Sequence, residues 1–232
     1  MVPCQGQAFL ARTAVPTLLR MTKPDRPIRL YRYALSGHSH RVELLLSLLD
    51  LPFERVEIDL AKGEQRSPDH IARNPLGQLP VIEDGDVTLS ESTAILVYLA
   101  SRYDPGGRWY PRDPRAAGEV QRWLSIAAGP LKSGAADARL AHVFGARLDA
   151  AAAQGVARKL FAALDAHLAK RRFLAGDEAT IADVAMYTYT AHAPEGGVLL
   201  APYEHVRAWL ARVEALPRFV PMRRSPVPAD AS

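Results

Sequence analysis

The sequence of 232 residues contains a single cysteine, Cys4. One cysteine cannot form an internal disulfide, a Cys-x-x-Cys redox pair or a cysteine-based zinc site, so these chemistries are excluded. The lack of disulfides is compatible with a reducing compartment, and we therefore expect a cytoplasmic protein.

Long apolar runs are also missing. No stretch reaches the roughly 18 consecutive apolar residues that a membrane-spanning helix needs, so we expect no membrane association. In residues 1–26 the apolar pairs are interrupted by Arg12, Pro16 and Arg20, which makes a poor signal peptide. We interpret residues 1–26 as a flexible N-terminal extension.

The sequence has no segment in which residues of one charge are concentrated. The formal net charge is +4, and small basic runs occur only at 170–172 and 223–224. Because zinc-finger spacing and basic stripes interleaved with aromatic residues are absent, we do not expect nucleic-acid binding. We expect no metal either, since His192 and Glu195 lack a third ligand at a suitable spacing. The mild basicity suits an anionic small molecule.

The segment from residue 28 to residue 99 alternates between strand and helix patterns. Alternating apolar residues predict strands, and apolar residues at i, i+3, i+4 and i+7 predict helices. The predicted elements are a strand at 28–33, a helix at 40–50, a strand at 53–60, a short helix at 67–73, two strands flanking Asp84-Gly85 and a helix capped by Ser90 or Ser92. The order β-α-β-α-β-β-α predicts a mixed sheet with helices on both faces.

Strand patterns end at the Asp-Pro-Gly-Gly stretch 104–107. Alanine-rich helical patterns follow at 116–127, 148–168 and 180–191. We therefore predict an α/β domain at 27–106 and an all-helical domain at 112–224.

The first motif is the turn at 31–42, YRYALSGHSHRV. It resembles the strand-to-helix turn of serine-type glutathione S-transferases, especially the theta and zeta classes, in which a serine hydrogen-bonds the glutathione sulfur. Ser36 falls at that place. A thiol with a pKa of about 8.5 is mostly protonated at pH 7, and both a hydroxyl donor and a helix N-terminus favour the thiolate. The alternatives are that Ser36 only caps the helix, or that Ser39 is the partner.

The same turn departs from some relatives. Gly37 and His38 stand where zeta-type enzymes carry another serine and a cysteine, which weakens the case for their isomerase reaction. The turn holds no cysteine, which argues against glutaredoxin-like thiol transfer. Tyr31 and Tyr33 lie in the strand, so a tyrosine-type mechanism is less favoured.

The second motif, NPLGQLPV at 74–81, resembles the loop that ends in a cis-proline in thioredoxin-like folds. The resemblance implies a cis bond at Pro80 and a Leu79 backbone that pairs, strand-like, with the cysteinyl part of glutathione. The alternative is an ordinary trans-proline that opens an edge strand.

The third motif, LSESTAIL at 89–96, resembles the acidic-Ser pair that opens the third helix of this domain. The resemblance implies that Glu91 meets the α-ammonium and Ser92 the α-carboxylate of the γ-glutamyl end. The alternative is that both residues only start a helix. Gln65 lies in the loop that often contacts the glycyl side, with a solvated loop residue as the alternative.

The second domain carries Thr180 and Asp183 as Thr-x-x-Asp before an apolar run, which is a capping-box pattern. The resemblance places this box at the start of a buried helix, so these two residues serve folding. For the second-substrate site, the candidates are His38, Lys132, Arg139, His142 and Tyr187, each with surface or packing as its alternative.

Together the motifs, spread over residues 28–222, imply a soluble, bacterial theta/zeta-like glutathione S-transferase with a thioredoxin-like first domain. The implied reaction is detoxifying conjugation of the glutathione thiolate to small, apolar electrophiles by a homodimer without a metal. The alternatives are a non-catalytic binding or adaptor protein of the same fold, and a glutathione-dependent isomerase or peroxidase.

Overall fold

The computed structural model describes residues 23–229 and residue 231. Most of the expected N-terminal extension, with Cys4, lies outside these residues. No helix of the described part is long and apolar enough to cross a lipid bilayer. The described residues also contain no group of three His, Cys, Asp or Glu side chains placed to hold a metal ion.

The first domain is built on a four-stranded mixed sheet, as predicted. The strands are β1 (Ile28–Arg32), β2 (Phe53–Glu57), β3 (Val81–Asp84) and β4 (Val87–Ser90), in the order β2-β1-β3-β4. Strand β1 pairs parallel with β2 and antiparallel with β3, and β3 pairs antiparallel with β4. The parallel pair requires a crossover, which α1 supplies.

Three helices complete this domain: α1 (Gly37–Leu48), α2 (Pro68–Arg73) and α3 (Ser92–Tyr103). Helix α1 begins earlier than the apolar spacing predicted, because Ser36 caps it by accepting the backbone N–H of Ser39. The predicted cap of α3 by Ser90 or Ser92 is wrong. Glu91 occupies the cap position with a φ of 68° and no side-chain cap bond, so Ser92 is the first helical residue.

The second domain is all-helical, as predicted. Its helices are α4 (Pro114–Ala128), α5 (Asp137–Phe144), α6 (Ala150–Leu168), α7 (Ile181–Ala191) and α8 (Glu204–Glu214), with a π-helical turn Lys132–Ala136 before α5 and a 3-10 turn Ala193–Gly196 after α7. Helix α7 is buried along its whole length. It opens on the Thr180–Asp183 capping box, in which each side chain bonds the other residue's backbone.

The two domains meet through α1, which is buried from Ser39 to Leu46 and packs on both α3 and α7. His40, 1% exposed, lies in this interface. Its Nε2 donates to the carbonyl of Val220 at 2.8 Å, and its Nδ1 accepts from the Thr188 hydroxyl at 2.8 Å. The helix that follows the Ser36 turn is therefore fixed by the second domain as well as by the sheet.

Candidate active site

The turn between β1 and α1 presents Ser36 at the N-terminus of α1, where it is half-buried. Its Oγ accepts the N–H of Ser39 at 3.2 Å, which leaves its own O–H free to donate. Ser39 is fully buried and accepts the N–H of Tyr33 at 3.4 Å. Gly37 brings the turn against Tyr189, since a Cβ at Gly37 would lie 2.6 Å from Tyr189 Cζ.

Behind this turn, buried Arg41 and Ser92 form a cluster with half-buried His38. Arg41 is 0% exposed and pairs with no carboxylate in the part of the chain that the structure describes. Its Nη1 lies 3.0 Å from His38 Nδ1 and 3.4 Å from Ser92 Oγ, and its face lies over the Tyr189 ring. Burial lowers the pKa of Arg41 to about 10, so it stays charged at neutral pH.

His38 is neutral in this cluster. Burial, helped by the charges of Arg41 and Lys132, lowers the pKa of His38 to about 3. Arginine can only donate, so His38 Nδ1 is the acceptor and its proton lies on Nε2. Nδ1 also lies 3.2 Å from Ser92 Oγ. The N-terminus of α3 therefore has one fixed positive charge behind it.

Across from the cluster, the loop before β3 forms the other wall of a small cavity of about 50 Å³. The peptide bond between Leu79 and Pro80 is cis. The carbonyl of Gln78 accepts His70 Nε2 at 3.1 Å and Asn74 Nδ2 at 3.0 Å, which fixes the loop from below. The lining residues are His38, Asn74, Gln78, Leu79, Pro80, Glu91 and Ser92.

The predicted γ-glutamyl and cysteinyl residues are thus brought together around one cavity. Glu91 is exposed at its rim, and Ser92 is 5% exposed at its base. Gln65 does not line it. The Oε1 of Gln65 is buried, without a hydrogen-bond partner among the described residues.

On the other side of the turn, Arg139 anchors the residue before Ser36. Its Nη1 donates to the carbonyl of Leu35 at 2.8 Å, and its Nε donates to Glu195 Oε2 at 2.6 Å. Glu195 also accepts His192 Nδ1 at 2.5 Å and the N–H of Ser225 at 3.0 Å. Burial alone would raise the pKa of Glu195, but these donors outweigh it and lower the pKa to about 2.

The C-terminal segment and α5 together line a second, larger cavity of about 560 Å³ that is open to solvent, which we call the tail cavity. Its volume lies in the range of small-molecule sites. The lining residues are Leu35, His142, Val143 and residues 223–228.

The structure separates the residues predicted for a second substrate. His142 lines the tail cavity, Arg139 supports its wall, and His38 lines the small cavity. Tyr187 lines neither cavity, and its hydroxyl donates to Glu214 at 2.9 Å. Lys132 pairs with Asp137 at 3.1 Å.

Sequence reasoning missed several supporting residues. The bonds of His70 to the cis-proline loop and of Glu195 to Ser225 join distant parts of the chain, and no spacing in the sequence signals them. The buried position of Arg41 behind the turn was not predicted either. Its position one residue before apolar Val42 and four residues before Leu45, on the buried side of α1, was the available signal.

Comparisons with known proteins agree with this architecture. Residues 26–101 match the family model "Glutathione S-transferase, N-terminal domain", and residues 142–217 match "Glutathione S-transferase, C-terminal domain". The chain is 34% identical over 203 residues to Glutathione S-transferase 3 of Zea mays, an alignment that covers 83% of this chain and 91% of the relative. It is 29% identical over 197 residues to Glutathione S-transferase theta-2B of Homo sapiens, covering 81% of each.

Solved structures are similar as well. A glutathione S-transferase from Pseudomonas fluorescens aligns with a TM-score of 0.80 at 31% identity, covering 85% of this chain and 99% of that chain. A glutathione transferase homolog from Drosophila mojavensis, solved with bound glutathione, aligns with a TM-score of 0.74 at 26% identity, covering 82% of this chain and 89% of that chain.

The chain belongs to the glutathione S-transferase family. It is an enzyme, a glutathione transferase that uses glutathione as its co-substrate. The family and its named members do not favour the adaptor, isomerase or peroxidase alternatives. The narrower theta/zeta-like subtype stays a prediction, since the relatives span several groups.

Proposed function

We propose that Ser36 is the catalytic residue, and that its hydroxyl stabilises the glutathione thiolate before the thiolate attacks an electrophilic carbon. The observation that carries this proposal is the geometry of the Ser36 hydroxyl. Its oxygen accepts the N–H of Ser39 and caps α1, while its hydrogen remains available. Capping and thiol activation are therefore compatible. Ser39 is the weaker candidate, because it is fully buried.

We place the γ-glutamyl end of glutathione at the N-terminus of α3. Ser92 with the first N–H groups of α3 suits the α-carboxylate, and exposed Glu91 suits the α-ammonium. Arg41 supplies a positive charge behind Ser92, at 3.4 Å from its Oγ. No carboxylate of the described residues pairs with this buried charge, so an anionic ligand group is its natural counter-charge.

The cysteinyl part lies along Leu79 in this proposal. Neither the N–H nor the C=O of Leu79 is hydrogen-bonded to another described residue, and strand β3 begins only at Val81. An extended peptide can therefore add to this edge as a short strand. In this proposal the sulfur points towards Ser36, and Gln65 remains our candidate for the glycyl side.

We further propose a cytoplasmic homodimer in which the first domain of one subunit packs on the second domain of the other. Leu76, 70% exposed on the loop after α2, is the kind of apolar side chain that such an interface covers. A monomeric mass by light scattering at micromolar concentration would rule the dimer out.

The domain bounds 27–106 and 112–224 also remain our proposal.

The ultraviolet absorbance of bound glutathione thiolate, titrated with pH, tests the role of Ser36. We expect the bound thiol to titrate about 2 pH units below its free value of about 8.5 in the parent protein. Ser36→Ala should lose this shift and lower kcat about 100-fold, since one oriented donor to a developing anion is worth roughly 2.7 kcal/mol or more.

Ser39→Ala is the matched control, because it removes the neighbouring hydroxyl of α1. It should keep the lowered thiol titration. If Ser39→Ala loses the shift and Ser36→Ala retains it, Ser39 is the donor and our assignment is wrong. If the parent shows no bound thiolate at saturating glutathione, the catalytic proposal fails altogether.

A further inference from the structure

The lining of the tail cavity is divided between apolar and basic groups. Leu35, Val143 and the stretch 226–228 provide the apolar part. Arg223 and Arg224 provide the basic part, His142 adds a polar ring, and no carboxylate of the described residues lines the cavity. A ligand that fills this space meets an apolar wall on one side and positive charge on the other.

The two arginines carry charge that the described part of the chain does not neutralise. Both are exposed, and neither forms an ion pair with a described carboxylate. Many other arginines at the surface do pair, as Arg55 does with Glu43 and Arg122 with Glu119. Unpaired charges of one sign at the mouth of a cavity raise the local concentration of ligands of opposite sign.

The segment that carries these arginines is anchored next to the reactive turn. The N–H of Ser225 donates to buried Glu195 at 3.0 Å, and Arg139 Nη2 lies 3.4 Å from Ser225 Oγ. The same Arg139 holds the carbonyl of Leu35, the residue before Ser36, at 2.8 Å. One buried side chain therefore sets the position of the basic segment relative to the proposed thiol site.

We propose that the tail cavity selects electrophiles that join an apolar, preferably aromatic, body to a carboxylate or sulfonate. The body packs on Leu35 and Val143, and the anionic group meets Arg223 and Arg224. This inference rests on the proposed function, and it narrows the electrophile beyond the apolar class that the sequence indicated.

With an aryl chloride, the glutathione sulfur forms the new bond to the ring carbon that carries chlorine. The carbon–chlorine bond then breaks, and chloride leaves with its electron pair. The proton of the glutathione thiol has already passed to solvent. The carboxylate of the electrophile takes no part in these steps, so the arginines act on binding and orientation.

The test compares 4-chloro-3,5-dinitrobenzoate with its neutral amide, 4-chloro-3,5-dinitrobenzamide. For each, kcat/KM is divided by the rate constant of the uncatalysed reaction with glutathione at the same pH, which removes their difference in intrinsic reactivity. We expect Arg223→Gln/Arg224→Gln to lower the benzoate-to-benzamide ratio about 5- to 10-fold, as expected for partly screened charge pairs. The preference in the parent should also weaken as ionic strength rises.

Two variants serve as controls. Arg112→Gln/Arg207→Gln removes the same charge from exposed positions that do not line the tail cavity, and it should keep the parental ratio. Arg223→Lys/Arg224→Lys retains the charge and should keep most of the preference. A parental ratio in Arg223→Gln/Arg224→Gln, or an equal loss in Arg112→Gln/Arg207→Gln, would overturn the inference. Parent protein that conjugates neither compound would also overturn the inference, and the titration of bound glutathione thiolate in the same protein would show separately whether the proposed role of Ser36 stands.

Discussion

At the scale of single residues, Arg41 shows how a group can be costly to the fold and useful to the site. It is 0% exposed, its Nε has no partner among the described residues, and it pairs with no described carboxylate. Burying a charge in this way costs free energy of folding. In the site that we propose, its Nη1 lies 3.4 Å from Ser92 Oγ and would add positive potential where the α-carboxylate of glutathione binds.

We therefore predict that Arg41→Met separates stability from binding. The KM for glutathione should rise about 10- to 100-fold, since a hydrogen bond that involves a charge is worth about 1.5–3 kcal/mol. The free energy of unfolding should stay within about 1 kcal/mol of the parent value or increase, because a buried charge is replaced by an apolar side chain. Steady-state kinetics and urea unfolding measure the two effects.

Arg41→Lys keeps the charge and should retain more of the binding than Arg41→Met. A positioning role predicts a change mainly in KM, with kcat affected less. If Arg41→Met loses stability and leaves KM unchanged, the side chain is only structural and our account of the γ-glutamyl site is wrong.

At the scale of elements, α7 depends on how its N-terminus is satisfied. Asp183 is 0% exposed, and its two oxygens accept the N–H groups of Leu174 and Thr180, the Thr180 hydroxyl and Trp209 Nε1. Trp209 belongs to α8, so one carboxylate joins two helices and the loop before α7. The capping box thus fixes packing as well as the helix start.

Asp183→Ala should lower the free energy of unfolding by about 3 kcal/mol or more, because several buried donors lose their partner at once. Asp149 offers a matched control, since it caps α6 in the same way but is exposed and accepts only the N–H of Ala152, at 2.9 Å. Asp149→Ala should cost about 1 kcal/mol. Equal losses in urea unfolding would show that the buried network adds nothing to the cap.

Local signals in the sequence predicted most of the elements and failed at particular helix starts. The order of elements along the chain followed from the alternation in β1 and β2 and from the Asp84-Gly85 turn, whose physics is local. The cap of α3 was not predictable in the same way. Glu91 adopts a φ of 68°, which only the surrounding structure can impose on a residue with a side chain.

The residues of the candidate site also fall into two groups, those that local sequence signals predict and those that depend on distant contacts. Ser36, Leu79, Glu91 and Ser92 lie in contiguous motifs, and these could be named from the sequence. The residues that hold them in place could not be named from the sequence, because His70, Arg139 and Glu195 act through contacts between distant segments. The basic character of the tail cavity also depends on where residues 223–224 fold, and the sequence shows them only as a short basic run.

At the scale of the whole molecule, three groups with lowered pKa values, half-buried His38 and buried His40 and Glu195, make stability depend on pH. Burial lowers the pKa of His38 to about 3 and the pKa of His40 to about 4. In the unfolded chain each histidine has a pKa of about 6.5. Between these pH values the unfolded chain therefore binds protons that the folded protein does not. The pKa of Glu195 is lowered to about 2, so its contribution to stability is full above its unfolded pKa of about 4.3 and is lost as the pH falls from there towards 2.

We predict that the free energy of unfolding falls as the pH drops below about 6.5, with a slope of up to roughly 1.4 kcal/mol per pH unit for each histidine. Below about pH 4.5 the loss should continue through Glu195. Urea unfolding at a series of pH values measures both losses. Glu195→Gln should remove only the loss below about pH 4.5, and it should lower the free energy of unfolding near neutral pH by about 3–5 kcal/mol. Stability that is constant between pH 7 and 5 would contradict the prediction.

The burial of α1 has a consequence for how such a chain can be divided. Its residues from Ser39 to Leu46 are covered on one side by α3 and on another by α7, and His40 bonds to Thr188 and Val220. A cut in the stretch 104–113 would therefore leave each half with an apolar surface made for the other. The two domains therefore have to change together. A chimera that takes one domain from a related protein would be stable only if that domain brought a matching interface.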